Sequence, residues 1–205
     1  MSSTESVRRH YDRMAESYDR LIAPAERLFF GGGREWVCSR ARGEVLEIAV
    51  GTGRNLPFYP EGVRLTGIEL SPQMLAIARR RARELNAGPE LRIGDAQDLP
   101  FPDASFDTVV ATLALCTIPN DRRAVAEAAR VLRPGGRLLL LEHVRSPLLP
   151  VRLAQTVLDP LFVLLDGDHL LREPLCHVEA EGLLVERLER SKLGIVERLA
   201  ARKPV

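Results

Sequence analysis

Cysteine is scarce in this 205-residue chain: Cys38, Cys116 and Cys176 are odd in number, widely spaced and never in a Cys-x-x-Cys pair. That spacing argues against a disulfide framework or a cysteine-rich metal site and fits a reducing compartment, so no metal and a cytoplasmic location are expected. Charge of one sign is also missing, since 29 basic residues face 28 acidic ones and no basic block stands apart. The footprint of a nucleic-acid binder is therefore absent, and nucleic acid is not expected as a partner. Apolar runs are broken by charges before reaching bilayer-spanning length, and the first twenty residues are too charged for a signal peptide. Lysine is reduced to Lys192 and Lys203, a bias that carries no functional reading. There is no internal repeat, no linker and no G-x-x-x-x-G-K-[ST] loop for a triphosphate.

What is present is an alternation of short apolar strands with amphipathic helices. With 45% hydrophobic residues the chain can bury one ordinary core, and its length predicts one domain over 1–205. GEVLEIAVGTG reads as a buried strand in which Val45, Leu46, Ile48 and Val50 crowd before Gly51 and Gly53 break it, and VRLTGIEL repeats the pattern. SPQMLAIARRRARELN reads as a helix, with Ser71 as N-cap, Pro72 at its first position and Leu75, Ala78, Ala82 and Leu85 on its apolar face. Strands follow at LRIG and FDTVVATLAL, then a helix through DRRAVAEAARVL and, after a turn at Pro134–Gly136, a strand at RLLLLEHV. Such alternation implies a doubly wound, Rossmann-like, mostly parallel α/β sheet. Past Pro147, VRLAQTVLDPLFVLLDGDHLLR reads as one or two helices broken near Pro160 and Gly167, and LLVERLERS and IVERLAARK read as two closing strands, each pattern also admitting a helix. Core is the default reading for the apolar stretch near 148–165; an acceptor pocket or peripheral membrane contact are its alternatives.

In open α/β sheets the ligand lies beyond the carboxyl ends of the strands where the strand order reverses, and here the first such end is the AVGTGRN loop. Gly51 and Gly53 let main chain approach a ligand, and Glu69, ending the next strand, can accept hydrogen bonds from both hydroxyls of a ribose. Four ordered segments, VLEIAVGTG, IEL, GDAQDLPFPDASFDTVV and RVLRPGGRLLLLEHV, make the chain resemble the class I S-adenosylmethionine-dependent methyltransferases. The quinone-methyltransferase-like enzymes are the nearest subgroup, and the tail EHVRSP…VRLAQTVLDPL…GDHLLRE is similar to phospholipid N-methyltransferases and thiol methyltransferases.

The resemblance implies S-adenosyl-L-methionine as cofactor, with S-adenosyl-L-homocysteine as product, and a small-molecule or lipid acceptor. It places the methionine part over Gly51, Thr52 and Gly53, with Glu47 supporting the loop or the amino group and Glu69 holding the ribose. Asp95 and the Ala96 N–H would meet the adenine, Leu70 and Met74 would flank it, and Thr112 and Leu113 would offer main-chain oxygen to the ammonium. Ala49 departs from the pattern, standing where the family often has glycine. Within the single domain, 43–145 becomes the cofactor-binding core, 1–35 a helical lid carrying Tyr11 and Tyr18 over the cofactor, and 146–205 the acceptor-side helices and closing strands. His143, at the end of the fifth strand, is the candidate catalytic base, and Tyr11, Cys116 and His169, the last beside Asp166 and Asp168, are candidates for the acceptor side. A cofactor-binding regulator without turnover and a nicotinamide-dependent oxidoreductase are the competing readings. The TLALCTIPN loop lacks the Asn-Pro-Pro-Tyr-like sequence expected for adenine or glutamine methylation.

Overall fold

The computed structural model describes residues 3–205; the first two residues of the expected lid, and the side chain of Asp166, lie outside the described set. Seven strands form one sheet in the order β3-β2-β1-β4-β5-β7-β6. These are β1 (Glu44–Ile48), β2 (Arg64–Glu69), β3 (Glu90–Ile93), β4 (Phe106–Thr112), β5 (Leu132–His143), β6 (Leu184–Ser191) and β7 (Val196–Arg202). The first five pair in parallel, and β7 lies antiparallel between β5 and β6. Strand order reverses where β1 meets β4, so the switch point lies beyond Ile48 and Thr112.

Period-two alternation divides the central strands between two layers. Leu46, Ile48, Val109, Leu138 and Leu140 face Ala124, Val125 and Ala128 of α4 (Asp121–Val131). Val45, Val110, Leu139 and Leu141 face Trp36 and Val37 of α2 (Gly33–Cys38). Helix α3 (Pro72–Glu84) starts as its sequence predicts, with Ser71 Oγ accepting from Met74 N–H at 3.1 Å. Its buried face is Met74, Leu75, Ile77, Ala78 and Ala82; Leu85, expected on it, is 43% exposed because the helix ends there.

Three further expectations need correction. The glycine-rich segment before RLLLLEHV is a bulge inside β5, where pairing jumps from Phe106–Leu132 to Thr108–Arg137. β4 stops at Thr112, because Leu113 adopts φ 52° and turns the chain over the sheet end. Helix α5 (Leu149–Asp166) runs unbroken through Pro160 and ends only at Gly167, whose φ of 71° caps it. Pro160 is exposed, so the hydrogen bond it cannot donate is lost at a solvated position, where water can serve the carbonyl left without it.

The core reading of the same stretch is overturned as well: among its described residues α5 contributes none that is buried, and Val157 and Leu164 are 78% and 81% exposed. Two of its polar side chains, Gln155 and Asp159, point inward instead. Gln155 donates to the carbonyls of Val144 and Leu170 and accepts from Ser146 N–H, while Asp159 accepts from Leu170 N–H. The final helix, α6 (Pro174–Ala180), packs on α4.

Candidate functional site

A cavity with about 810 Å³ of free space, its open side included, lies over the carboxyl ends of β1, β2 and β4. Of the expected site residues, Tyr11, Tyr18, Ala49, Gly51, Thr52, Glu69, Leu70, Met74, Asp95, Ala96, Thr112 and Leu113 line it. Gly51 has φ 58°, and a Cβ added there would meet nothing closer than 3.9 Å, so bare main chain faces the space. Ala49 also lies in the left-handed region, at φ 54°, the conformation for which glycine is better suited. A Cβ at Gly53 would meet Leu56 at 2.9 Å and Ala78 at 3.2 Å, so this glycine lets the loop pack on α3 and does not line the cavity.

Glu69 closes the middle of the cleft. Its two carboxylate oxygens accept from Gly51 N–H and Ser71 N–H, each at 2.9 Å, and each oxygen retains a lone pair for a ligand hydroxyl. Burial raises its pKa against the lowering effect of these hydrogen bonds. At the far end Asp95 accepts from the main chain of Gln97 at 2.9 Å, and Gln97 Nε2 reaches Thr4 Oγ1 on the first helix at 3.1 Å. Glu47 lies beneath the cavity and outside its lining, accepting from Asn55 Nδ2 and Tyr59 O–H, both at 2.8 Å. Burial pushes its pKa up to about 7, opposed by the Tyr59 hydrogen bond and the Arg34 charge. Asn55 in turn donates to Thr112 Oγ1, which also accepts from buried Arg34.

Most of the segment expected as a lid forms helix α1 (Thr4–Phe29). Tyr11, Ala15 and Tyr18 pack on Met74 and Ile77, with the two rings edge to face at 6.1 Å. Beside them runs a row of carboxylates seven residues apart. Asp12 accepts from Ser71 O–H at 2.6 Å; Asp19 accepts from Thr52 O–H at 2.6 Å and from Arg81; Glu26 accepts from Arg34 at 2.6 Å and Arg54 at 3.0 Å. Asp12 thus holds the start of α3, while Asp19 and Glu26 both hold the loop after β1, Asp19 reaching α3 as well and Glu26 reaching α2. The period-seven spacing was visible in the sequence, whereas partners 8 to 62 positions away were not.

Of the residues expected to serve catalysis or the acceptor, Cys116, His143 and His169 lie outside the lining of this cavity. His143 Nε2 is 2.9 Å from Asp168 Oδ1, and His169 N–H donates to the Cys116 carbonyl at 2.9 Å. Burial pushes the Cys116 thiol well up, reinforced by Asp168 and Glu142, which keeps it a thiol at neutral pH. Burial alone would lower the His143 pKa; the hydrogen bond and charge of Asp168 outweigh it and hold the ring above its ordinary value. Glu142 supports the loop after β4 by accepting from Ala114 and Leu115 N–H. Arg34, Gln97 and Thr117 were not picked out by sequence motifs as site residues, since each joins the site through tertiary contacts, and Asp168, named only as a neighbour of His169, meets His143 instead.

A parallel sheet with a glycine loop at its switch point and a buried carboxylate ending the neighbouring strand defines a nucleoside-binding protein of the Rossmann-like class. A methyltransferase-domain family matches residues 46–140. A phosphatidylethanolamine N-methyltransferase from Cereibacter sphaeroides is 48% identical over 103 residues, 49% of this chain and 51% of that protein. A human thiol S-methyltransferase is 34% identical over 173 residues, 78% of this chain and 68% of that protein. The chain therefore spans about half the length of the first relative and two thirds of the second. Among solved structures, a geranyl diphosphate C-methyltransferase from Streptomyces coelicolor, with Mg2+, geranyl diphosphate and S-adenosyl-L-homocysteine, shares the fold at a TM-score of 0.76. Its identity is 15%, over 98% of this chain and 97% of that one. The chain belongs to the class I S-adenosylmethionine-dependent methyltransferases, a family whose cofactor the cavity fits: main chain at Gly51, a carboxylate at Glu69 and a polar far end at Asp95.

Proposed function

We propose that the chain transfers the methyl group of S-adenosyl-L-methionine to a small lipophilic acceptor met at a membrane surface. When bound, the cofactor supplies an electrophilic methyl on sulfur. The protein's part is to hold the acceptor in line with it and to keep water out. Gly51 and Thr52 would hold the methionine end, Glu69 the ribose, and Asp95 and Ala96 the adenine between Leu70 and Met74. Thr112 and Leu113 would offer main-chain oxygen to the ammonium. Tyr11 and Tyr18 close the cavity from above, and His143 would take the acceptor's proton.

The observation that supports the membrane reading is α5, which carries its hydrogen-bonding side chains toward the protein and its leucines toward solvent. An apolar face of this kind marks a docking surface, and this helix follows β5, whose end bears His143. Among the described residues no helix is long and apolar enough to cross a membrane, so the reading is contact in the interface plane. The names of the relatives include a phospholipid amine and a thiol as acceptors.

The test uses methyl-labelled cofactor with phosphatidylethanolamine vesicles, an alkyl thiol and a prenylated hydroquinone. Label should enter one of these acceptors and the protein should sediment with the vesicles. Joint Leu161→Glu and Leu165→Glu substitution should release it while leaving S-adenosylhomocysteine affinity intact. Absence of transfer to every acceptor would refute the activity; transfer by a protein that stays in the supernatant would refute the membrane part.

A further inference from the structure

Beside the cavity lies a partly buried cluster that the cofactor placement does not use. His143 ends β5, and its Nε2 faces Asp168 Oδ1 at 2.9 Å. Asp168 follows Gly167, where the chain turns back from α5 toward the sheet. The turn is pinned just after Asp168: His169 N–H donates to the Cys116 carbonyl, and Leu170 N–H donates to Asp159 Oδ1 at 2.7 Å. The Cys116 sulfur, a ring nitrogen of His143 and an Asp168 oxygen all lie within 4.8 Å of one another. Tyr11, from the lid, is close enough for Cys116 and Asp168 to act on its hydroxyl electrostatically. The other ring nitrogen, His143 Nδ1, is buried and has no hydrogen-bond partner among the described residues.

These facts fit together through the proton on the ring. An ionised carboxylate only accepts, so Asp168 requires the proton on Nε2, and a neutral ring then carries its lone pair on Nδ1. A buried nitrogen with a lone pair and no donor is costly unless a ligand supplies the donor. Other titratable groups around the ring are Glu142, on its own strand, with Cys116, Asp159 and His169 from the elements packed against it. The nearby acidic groups, Asp168 first and then Glu142 and Asp159, favour the imidazolium that forms once a proton is taken up.

We propose that Asp168 is a positioning residue for His143: it fixes the imidazole in the tautomer whose Nδ1 lone pair receives the acceptor's proton. This rests on the methyltransferase reading. In the balanced step, the acceptor's lone pair forms the new bond to carbon while the carbon–sulfur bond breaks with its electron pair left on sulfur. The acceptor's proton passes to Nδ1, and the resulting imidazolium is held by Asp168 until it returns the proton to water. Asp168→Asn reverses the geometry, because an amide N–H turned to Nε2 makes that nitrogen the acceptor and moves the proton to Nδ1.

Nitrogen-15 spectra of the histidine rings, assigned with His143→Ala, test the tautomer without any need for turnover. Neutral His143 should carry its proton on Nε2, and in Asp168→Asn it should shift to Nδ1 with a lower ring pKa. In kinetics, Asp168→Asn should lose about ten- to a hundredfold in turnover. Its acidic limb should move to lower pH, S-adenosylhomocysteine affinity should stay within about twofold, and Asp168→Glu should recover part of the rate. A wild-type ring protonated on Nδ1, or a pH profile unchanged in Asp168→Asn, would overturn the assignment. So would a rate lost on dialysis against a chelator and restored by zinc, which would make the cluster a metal site. Failure of the wild-type protein to methylate any acceptor would instead sink the proposed function, while the ring spectra would still decide the positioning.

Discussion

Asp19 is the middle contact of three that hold α1 over the cavity, and removing it tests whether this helix closes as a lid. Its carboxylate accepts from Thr52 O–H at 2.6 Å and from the Arg81 guanidinium, and lies 3.4 Å from Arg54. Charge-assisted hydrogen bonds contribute about 1.5–3 kcal/mol each when well buried. Here the Asp19 and Arg81 side chains are 31% and 26% exposed, so solvent screening brings the whole set to about 2 kcal/mol. Asp19→Ala should therefore lower the ratio of closed to open lid roughly thirtyfold. Where tight cofactor binding requires the closed lid, S-adenosylhomocysteine affinity falls by at most that factor.

Calorimetry reads the affinity, and hydrogen exchange over residues 11–18 reads the lid. Wild type should gain protection there when S-adenosylhomocysteine binds, and Asp19→Ala should gain much less. Arg81→Met should weaken binding in the same direction, and the double variant should fall short of the sum of the two. Affinity within about twofold of wild type, with protection equal in free and bound states, would show that α1 is a fixed part of the fold and not a lid.

Other consequences follow from single residues. Ala49 holds φ 54°, so Ala49→Gly should leave the melting temperature unchanged or raise it, although glycine in an ordinary strand costs about 0.5–1 kcal/mol. A loss of that size in chemical denaturation would show that the backbone there is unstrained. Glu47 has its pKa raised by burial to about 7 from 4.5, so the folded state holds this proton more tightly than the unfolded chain. Its contribution to stability is full below pH 4.5 and is lost as pH rises through about 7. Wild type should therefore lose on the order of 2–3 kcal/mol more than Glu47→Gln between pH 4.5 and 8 in urea titrations. Glu142 titrates in the same range but is present in both proteins; parallel pH curves would contradict the burial argument.

How far the sequence could be read varied with the reach of each interaction. Strands β1 to β5 and helix α3 declare themselves by local pattern, since Ser71 caps its own helix and Val45, Leu46, Ile48 and Val50 bury together. Most of the cavity's lining follows from where those strands end. Side-chain partners far along the chain do not: Arg34 joins Glu26, Asn55 and Thr112 from three other segments, and Asp168 meets His143 across 25 positions. Helix α5 misleads for a physical reason. Hydrophobicity identifies the apolar face but does not say which way it points, and two inward polar residues, Gln155 and Asp159, turn that face outward.

The most direct test of the cofactor site is calorimetric titration of S-adenosylhomocysteine into wild type and into folded Glu69→Ala, with NADH as competitor. Glu69 would give the ribose hydrogen bonds to a charged acceptor, so the substitution should cost about 1.5–3 kcal/mol and at least tenfold in affinity. Wild type should bind one equivalent, with no displacement by NADH. Unchanged affinity in Glu69→Ala, or displacement by the dinucleotide, would contradict the placement of the cofactor in this cavity.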